Sequence, residues 1–318
     1  MYILPDGYYV LNLNPEKSED YKPVLIEKPT FKESISEVTL LNTGGTVSSS
    51  PNLAISGVSP MKGGLYQRVE KLPEFNNLGY KELQSLKNSQ LWTCQDYHKV
   101  WSFFKENHSK CSKWIVVHGT DNMGCFAPYM ALIAKELRLK LVLTCTQRSL
   151  DKPTWEFTQL IKSCLRVLKK TKAGKAYVIT YGDPFYQMIH SPTSIRKSHT
   201  YKKNSFFSEN STRIFEDLDF KLPHYETPSE AKPWNEFKKI VYSYPLPFSR
   251  EPQNPDVCLG YGLGNLGVSD FKGKIFSRIP AGPLNPIIYS LGDSWDPEFN
   301  QCKNYSPQAY GLYLSLKS

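Results

Sequence analysis

The sequence predicts an α/β protein built on a mainly parallel sheet, and three observations carry that reading. The first is the apolar run Val38-Thr39-Leu40-Leu41, a short buried strand that breaks at once into Asn42-Thr43-Gly44-Gly45-Thr46-Val47. The second is Trp114-Ile115-Val116-Val117, another apolar run, which ends in His118-Gly119-Thr120-Asp121 and leads into a helical pattern from about Met123 to Leu137. The third is repetition of this scheme: a strand at Lys140–Leu143, a helix from about Thr154 to Lys170, and a strand at Ala176–Thr180. Two strands that each end in a glycine- and hydroxyl-bearing turn, about 75 residues apart, are expected side by side in a parallel sheet. Gly44 and Gly45 lack Cβ atoms, so the chain can turn sharply and a bound molecule can lie against bare backbone. Open α/β sheets place their chemistry at strand ends, which makes Thr43 a candidate nucleophile if a neighbour takes its proton. The plainer alternative is a strand-turn-helix junction capped by Thr43 or Thr46.

Bulk properties narrow the class. A chain of 318 residues can bury a large core and predicts two domains. The net charge of +9 allows an acidic partner, RNA included, although such an excess is more often a solvated surface. No nucleic-acid-binding motif accompanies it. Seven cysteines, an odd number without a Cys-x-x-Cys pair, argue against a disulfide framework or a structural zinc site. No basic segment followed by an apolar run opens the chain, and no apolar run approaches membrane-spanning length. The expectation is an intracellular protein, of the cytoplasm or another reducing compartment, with no membrane span.

Taken in order, residues 1–36 read as a short β-rich lead-in, with strands at Tyr8–Leu11 and Val24–Ile26. Residues 37–215 hold the main α/β domain. Within it, Ser48–Pro60 is serine-, proline- and glycine-bearing and predicts a mobile loop over the strand ends. Trp92-Thr93-Cys94-Gln95-Asp96 precedes an amphipathic helix from about Tyr97 to Asn107, with Asp96 a candidate cap. The helix before Lys170 buries Phe157, Leu160, Ile161, Cys164, Leu165 and Leu168, while Lys162, Arg166, Lys169, Lys170, Lys172 and Lys175 give a basic face, read as solvated. Residues 216–235 are a linker. Residues 236–318 form a second, smaller α/β domain, with strands near Ile240–Tyr244, Val257–Tyr261 and Ile287–Leu291. Ser306-Pro307-Gln308-Ala309 opens a closing helix, and the stretches 249–256 and 268–286 read as loops. A parallel sheet needs crossover helices to cover its faces, so this trimmed domain should pack on something else or be marginal.

The motifs together resemble the L-asparaginase family, whose two signatures are Thr-Gly-Gly-Thr and His-Gly-Thr-Asp. Pro29-Thr30-Phe31-Lys32-Glu33, Gln147-Arg148-Ser149 with Asp151 and Pro153, and Arg196-Lys197 with His199-Thr200 extend the likeness in the family's order. It is closest to the branch formed by the asparaginase-like subunit of archaeal-type glutamyl-tRNA(Gln) amidotransferase. The resemblance covers most of residues 20–215 and thins beyond. It implies an asparaginase-like fold, a larger N-terminal domain followed by a smaller C-terminal one.

The resemblance also implies a function: hydrolysis of the side-chain amide of asparagine or glutamine, with Thr43 as nucleophile. Thr120, Asp121 and Lys197 would form the proton-handling set, and Asp121 would hold the substrate's α-ammonium group. Gly44, Gly45, Cys94 and Gln95 complete the substrate side. Cys94 stands where the family has a serine, and a thiol donates hydrogen bonds weakly. Its plain alternative is a buried small hydrophobe. Leu53 stands where the family has a tyrosine and cannot relay a proton. His118 reads as a structural residue bonded to backbone. Neither metal nor organic cofactor is required. The implied partners are a small amino-acid amide and either a second copy, since asparaginases build their sites at a dimer interface, or a larger assembly. Two alternatives stand beside the hydrolase: an impaired family member acting as a structural or binding subunit, and a glutaminase subunit for tRNA-dependent amidotransfer, which needs a transamidase partner.

Overall fold

The computed structural model describes residues 2–3, 9–10, 31–52, 57–146, 155–183, 186–197, 205–208, 210–215, 218–238, 242–243, 257–259, 275–277 and 305–317. A small antiparallel pair, β1 (Tyr2–Ile3) and β2 (Tyr9–Val10), opens the chain. The partner of Tyr9–Val10 is thus Tyr2–Ile3, and the expected strand at Val24–Ile26 lies outside the described residues.

The main body follows as β3 (Val38–Gly44), a hairpin of β4 (Ser49–Asn52) and β5 (Gly57–Pro60), α1 (Gly64–Val69), β6 (Leu78–Lys87), α2 (Cys94–Asn107), β7 (Lys113–Val117) and α3 (Met123–Leu137). It continues with β8 (Lys140–Thr144), α4 (Trp155–Lys170), β9 (Lys175–Asp183), β10 (Tyr186–His190), β11 (Arg196–Lys197), β12 (Phe206–Phe207) and β13 (Ser211–Phe215). Seven of these strands form one sheet in the order β13-β10-β9-β8-β7-β3-β6. The five from β9 to β6 run parallel, and β10 and β13 add an antiparallel edge.

The parallel core explains the apolar runs. After its first residue, every position of β7 and of β8 is buried, which requires cover on both faces of the sheet. Helices α3 and α4 both pack on β8 and β9. Residues Phe126–Ala134 of α3 are buried throughout, because β8, β9, α2 and α5 (Pro307–Ser315) all pack against that helix. Ser306 caps α5 by accepting from the Ala309 amide, as its Ser-Pro start predicts.

Three features depart from the sequence expectation. Strand β6 does not stand out in the sequence: its exposed and half-buried positions blur an apolar pattern that an edge strand does not need. The stretch read as a loop at Ser48–Pro60 contains the two arms of the β4–β5 hairpin, with residues 53–56, Leu53 among them, outside the described set. In the C-terminal part, β14 (Tyr242–Ser243), β15 (Val257–Leu259) and β16 (Ile275–Ser277) form a parallel three-stranded sheet. β16 falls inside a stretch read as loop, since three residues give too short a run to register as a strand. The expected strand at Ile287–Leu291 and the turn at Gly262–Asn265 lie outside the described residues.

The basic face of α4 also differs from a freely solvated surface. Arg166 donates to the carbonyls of Phe215 and Leu218 at 2.9 and 2.8 Å, and Lys170 pairs with Asp219 and donates to Phe220 O at 3.1 Å. Lys175 donates to Tyr225 O at 3.1 Å and sits 4.5 Å from that ring's centre. These cations strap the chain after β13 onto the sheet domain, using groups that a nucleic acid would otherwise attract.

Candidate active site

Parallel pairing of β3 with β7 brings Asn42 opposite Val117, so the two glycine turns leave the sheet side by side. Gly44 and Gly45 both take positive φ, 103° and 91°. The backbones then touch: a Cβ placed on Gly45 would lie 2.4 Å from Gly119 Cα, and one on Gly119 would lie 2.4 Å from Ser89 Oγ. Gly45, Gly119 and Ser89 therefore stack with no room for another carbon. Thr46 and Thr120 each follow a member of the touching glycine pair.

Thr43 has a different environment. It is fully buried, its hydroxyl donates to Val117 O at 2.8 Å, and His118 Nδ1 lies 2.7 Å away. A hydroxyl has one proton; if it goes to the carbonyl, the imidazole must carry its own proton on Nδ1 and donate. His118 is stacked on Phe126 with centroids 3.8 Å apart and meets Trp92 edge-on at 4.5 Å. Burial among these rings lowers its pKa from 6.5 to about 3, so it is a neutral, structural imidazole. It bonds a side chain, where the sequence suggests backbone. Thr43 is a latch between two strand ends, with its hydroxyl fully engaged.

The remaining expected set does converge. Lys197, on β11, donates from Nζ to Thr120 Oγ1 at 2.8 Å and to Asp121 Oδ1 at 2.5 Å. The lysine side chain is 13% exposed and the Asp121 side chain 44%, so the carboxylate keeps an open side for a ligand. Thr46 is half-buried, and among the described residues its hydroxyl makes no hydrogen bond. Among the described residues, Lys197 makes no hydrogen bond to Thr43.

Cys94 and Gln95 occupy the exposed first turn of α2, so Cys94 is not the buried hydrophobe its residue type suggests. Asp96 is spent on structure: it accepts from Thr93 N at 2.9 Å and pairs with Lys87 at 2.9 Å. The Lys87 ammonium and Thr93 donors hold its carboxyl below the usual carboxylate range against the opposing effect of burial. The polar side chain at the glycine junction is instead Ser89, buried in a short helical turn before α2. Sequence reasoning misses Ser89 and Thr46; a hydroxyl pair flanking the two glycines is the available signal for Thr46. Among the described residues, no group of three or more His, Cys, Asp or Glu converges on a metal-sized site. None of their helices is long and apolar enough to cross a membrane.

Fold and site thus define an α/β protein with a hydroxyl-lysine-carboxylate cluster where paired glycine turns leave a parallel sheet. The model of the asparaginase N-terminal domain matches residues 37–225, and the chain belongs to the asparaginase family. A glutamyl-tRNA(Gln) amidotransferase subunit of Pyrococcus horikoshii is 24% identical over 212 residues, which are 64% of this chain and 48% of that protein. Its counterpart from Pyrococcus furiosus is 25% identical over 239 residues, 72% of this chain and 51% of the relative. The chain spans about half the length of the curated relatives it matches. L-asparaginase I from Vibrio cholerae superposes with a TM-score of 0.64 at 17% identity, covering 89% of this chain and 92% of that one. The thermostable L-asparaginase from Thermococcus kodakarensis gives 0.60 at 18% identity, covering 88% and 92%. These neighbours share the fold.

Proposed function

We propose that the chain is an amidohydrolase acting on the side-chain amide of asparagine or glutamine. The observation that carries this reading is the Lys197–Thr120–Asp121 cluster beside a turn that holds an unengaged hydroxyl. The attacking hydroxyl in this proposal comes from Thr46. Thr43, the threonine to which the sequence first points, has its proton on a backbone carbonyl and no access to solvent. Thr46 attacks the amide carbon; Thr120 and Lys197 pass the released proton to the departing nitrogen; ammonia leaves. Water then hydrolyses the Thr46 ester and regenerates the hydroxyl. Asp121, open on one side, receives the substrate's α-ammonium, and Ser89 meets its carboxylate. Ammonia release from L-asparagine and L-glutamine tests the reading. Thr46→Ala and Lys197→Ala should abolish it, while Thr43→Ala should lower it through instability. Activity that survives Thr46→Ala but not Thr43→Val would return the nucleophile to Thr43.

A second reading is a family member retained as a binding or structural subunit of an assembly. It is favoured by Leu53, which cannot relay a proton, and by relatives that are named as amidotransferase subunits and are about twice as long. Release at buffer background by the wild type and all variants would establish it over the hydrolase. Co-purification with a transamidase and stimulated ammonia release would instead assign the glutaminase role in tRNA-dependent amidotransfer.

A further inference from the structure

The turn that presents Thr46 is wired to a buried carboxylate one strand away. Glu82 on β6 is 6% exposed and faces β3 in register with Asn42. Its Oε1 accepts from Asn42 Nδ2 at 2.8 Å and from the Tyr80 hydroxyl in a very short bond. Both oxygens accept from the Gly63 amide, Oε2 at 3.1 Å and Oε1 at 3.2 Å. Gly63 is the residue that caps α1, where the chain returns from the β4–β5 hairpin. With its Nδ2 committed to Glu82, Asn42 must turn Oδ1 the other way, and that oxygen accepts from the Gly44 amide at 3.0 Å. Gly44 begins the positive-φ pair, Gly44 and Gly45, that leads into Thr46. The far side of the same turn is fixed by the Gly45 carbonyl, which accepts from Ser48 Oγ at 3.0 Å and Ser49 Oγ at 2.8 Å. Burial, aided by the neighbouring Glu82 carboxylate, pushes the Tyr80 phenol far above its usual range, so it remains a donor.

From this we propose that Glu82 and Asn42 are positioning residues, which set the attack geometry of Thr46 by orienting the Gly44 amide and tying the hairpin base to it. The inference rests on the amidohydrolase reading for its kinetic consequence, but its structural half is independent of that reading.

The wiring has a direction that substitution can reverse. In Glu82→Gln, an amide nitrogen at the Oε1 position faces Asn42 Nδ2, and one at the Oε2 position faces the Gly63 N–H and leaves it only the 3.2 Å contact to the remaining oxygen; a donor meets a donor in both cases. In Asn42→Asp, two carboxylates face each other. In the double variant Asn42→Asp/Glu82→Gln, the glutamine nitrogen donates to the new aspartate while its oxygen keeps Gly63, and the aspartate still accepts from Gly44. The Tyr80 hydroxyl can no longer donate to that nitrogen; it accepts the glutamine's second N–H and turns its own proton to the new aspartate, the side chain at position 42 being 3.5 Å from it.

The experiment compares the full-length wild type with both single variants and the double variant. Steady-state ammonia release should show kcat reduced about 10- to 100-fold in each single variant with KM changed little, because a misplaced nucleophile slows attack while Lys197 and Asp121 still bind substrate. The double variant should recover most of the loss. Hydrogen exchange of the peptide spanning residues 42–47 should quicken in the singles and return in the double. Unchanged kcat in Glu82→Gln, or a double variant no better than either single, overturns the inference. If the wild type releases no ammonia, the amidohydrolase reading fails, and the exchange data alone decide: rescue in the double supports the wiring, equal exchange in all four proteins refutes it.

Discussion

Acid should destabilise this protein through two histidines that fold in the neutral form. His118 lies among Phe126 and Trp92, and His190 is held between Thr180 Oγ1 at 2.8 Å and Ser208 Oγ at 3.0 Å. Burial lowers both from 6.5 to about 3. In the unfolded chain each takes up a proton as the pH falls through about 6.5; in the folded chain neither does until about 3. Between those values the unfolded state binds more protons, so stability is full above the upper value and declines as the pH falls. Each histidine costs about 1.4 kcal/mol per unit, hence about 3 kcal/mol at pH 4.5 and roughly 5 to 6 for the pair. The assay is the free energy of urea unfolding at pH 7 and pH 4.5, for the wild type and for His118→Asn. Asparagine keeps a donor toward Thr43 but takes up no proton in this range. Carboxylate contributions are common to both proteins and cancel in the comparison. The variant should lose about 3 kcal/mol less than the wild type on acidification. Equal losses would show that His118 is already charged, or not enclosed, in the folded state.

Three further outcomes follow from packing and exposure. Thr43→Val keeps the side-chain shape but leaves Val117 O and His118 Nδ1 without their partner, and thermal unfolding should show a cost of about 1–3 kcal/mol; an unchanged midpoint would mean that the latch is not made. Gly119→Ala places a methyl 2.4 Å from Ser89 Oγ and should lower stability by about 1–3 kcal/mol, with partial recovery when Ser89→Gly is added. Iodoacetamide applied to the native protein should label the exposed Cys94 and spare Cys145 and Cys164, whose thiols burial pushes up, that of Cys145 to about 12. Peptide mass spectrometry reads the order, and labelling of Cys164 before Cys94 would contradict the packing of α4.

Much of the framework was legible from residue types alone, because parallel strands covered on both faces must be continuously apolar. Val38–Leu41, Trp114–Val117 and Lys140–Leu143 could be read this way, and α3 begins and ends at the residues its pattern indicates. The edge strand β6 is hidden for the converse reason: one edge of it faces away from the sheet, so its sequence is free to mix Lys81, Glu82 and Gln84 with apolar residues.

The sequence also picks out Thr120, Asp121 and Lys197, which the structure brings together, but not which neighbouring hydroxyls are already bonded. Local sequence places two threonines around two glycines; it does not say which hydroxyl a neighbouring strand will consume. That depended on Val117 and His118, brought against Thr43 by strand pairing across 75 positions. The same distinction holds for Cys94 and Ser89. The sequence points to Cys94, and only the packing of Ser89 against Gly119 shows that Ser89 is the one at the glycine junction. What the sequence determined by itself was the buried parallel strands, the long helices between them and the two glycine turns, since hydrophobic period and glycine placement are local. Which hydroxyls stay free, which carboxylates become struts and which cations hold the chain in place were decided by tertiary structure, because a hydrogen bond is assigned by proximity in space.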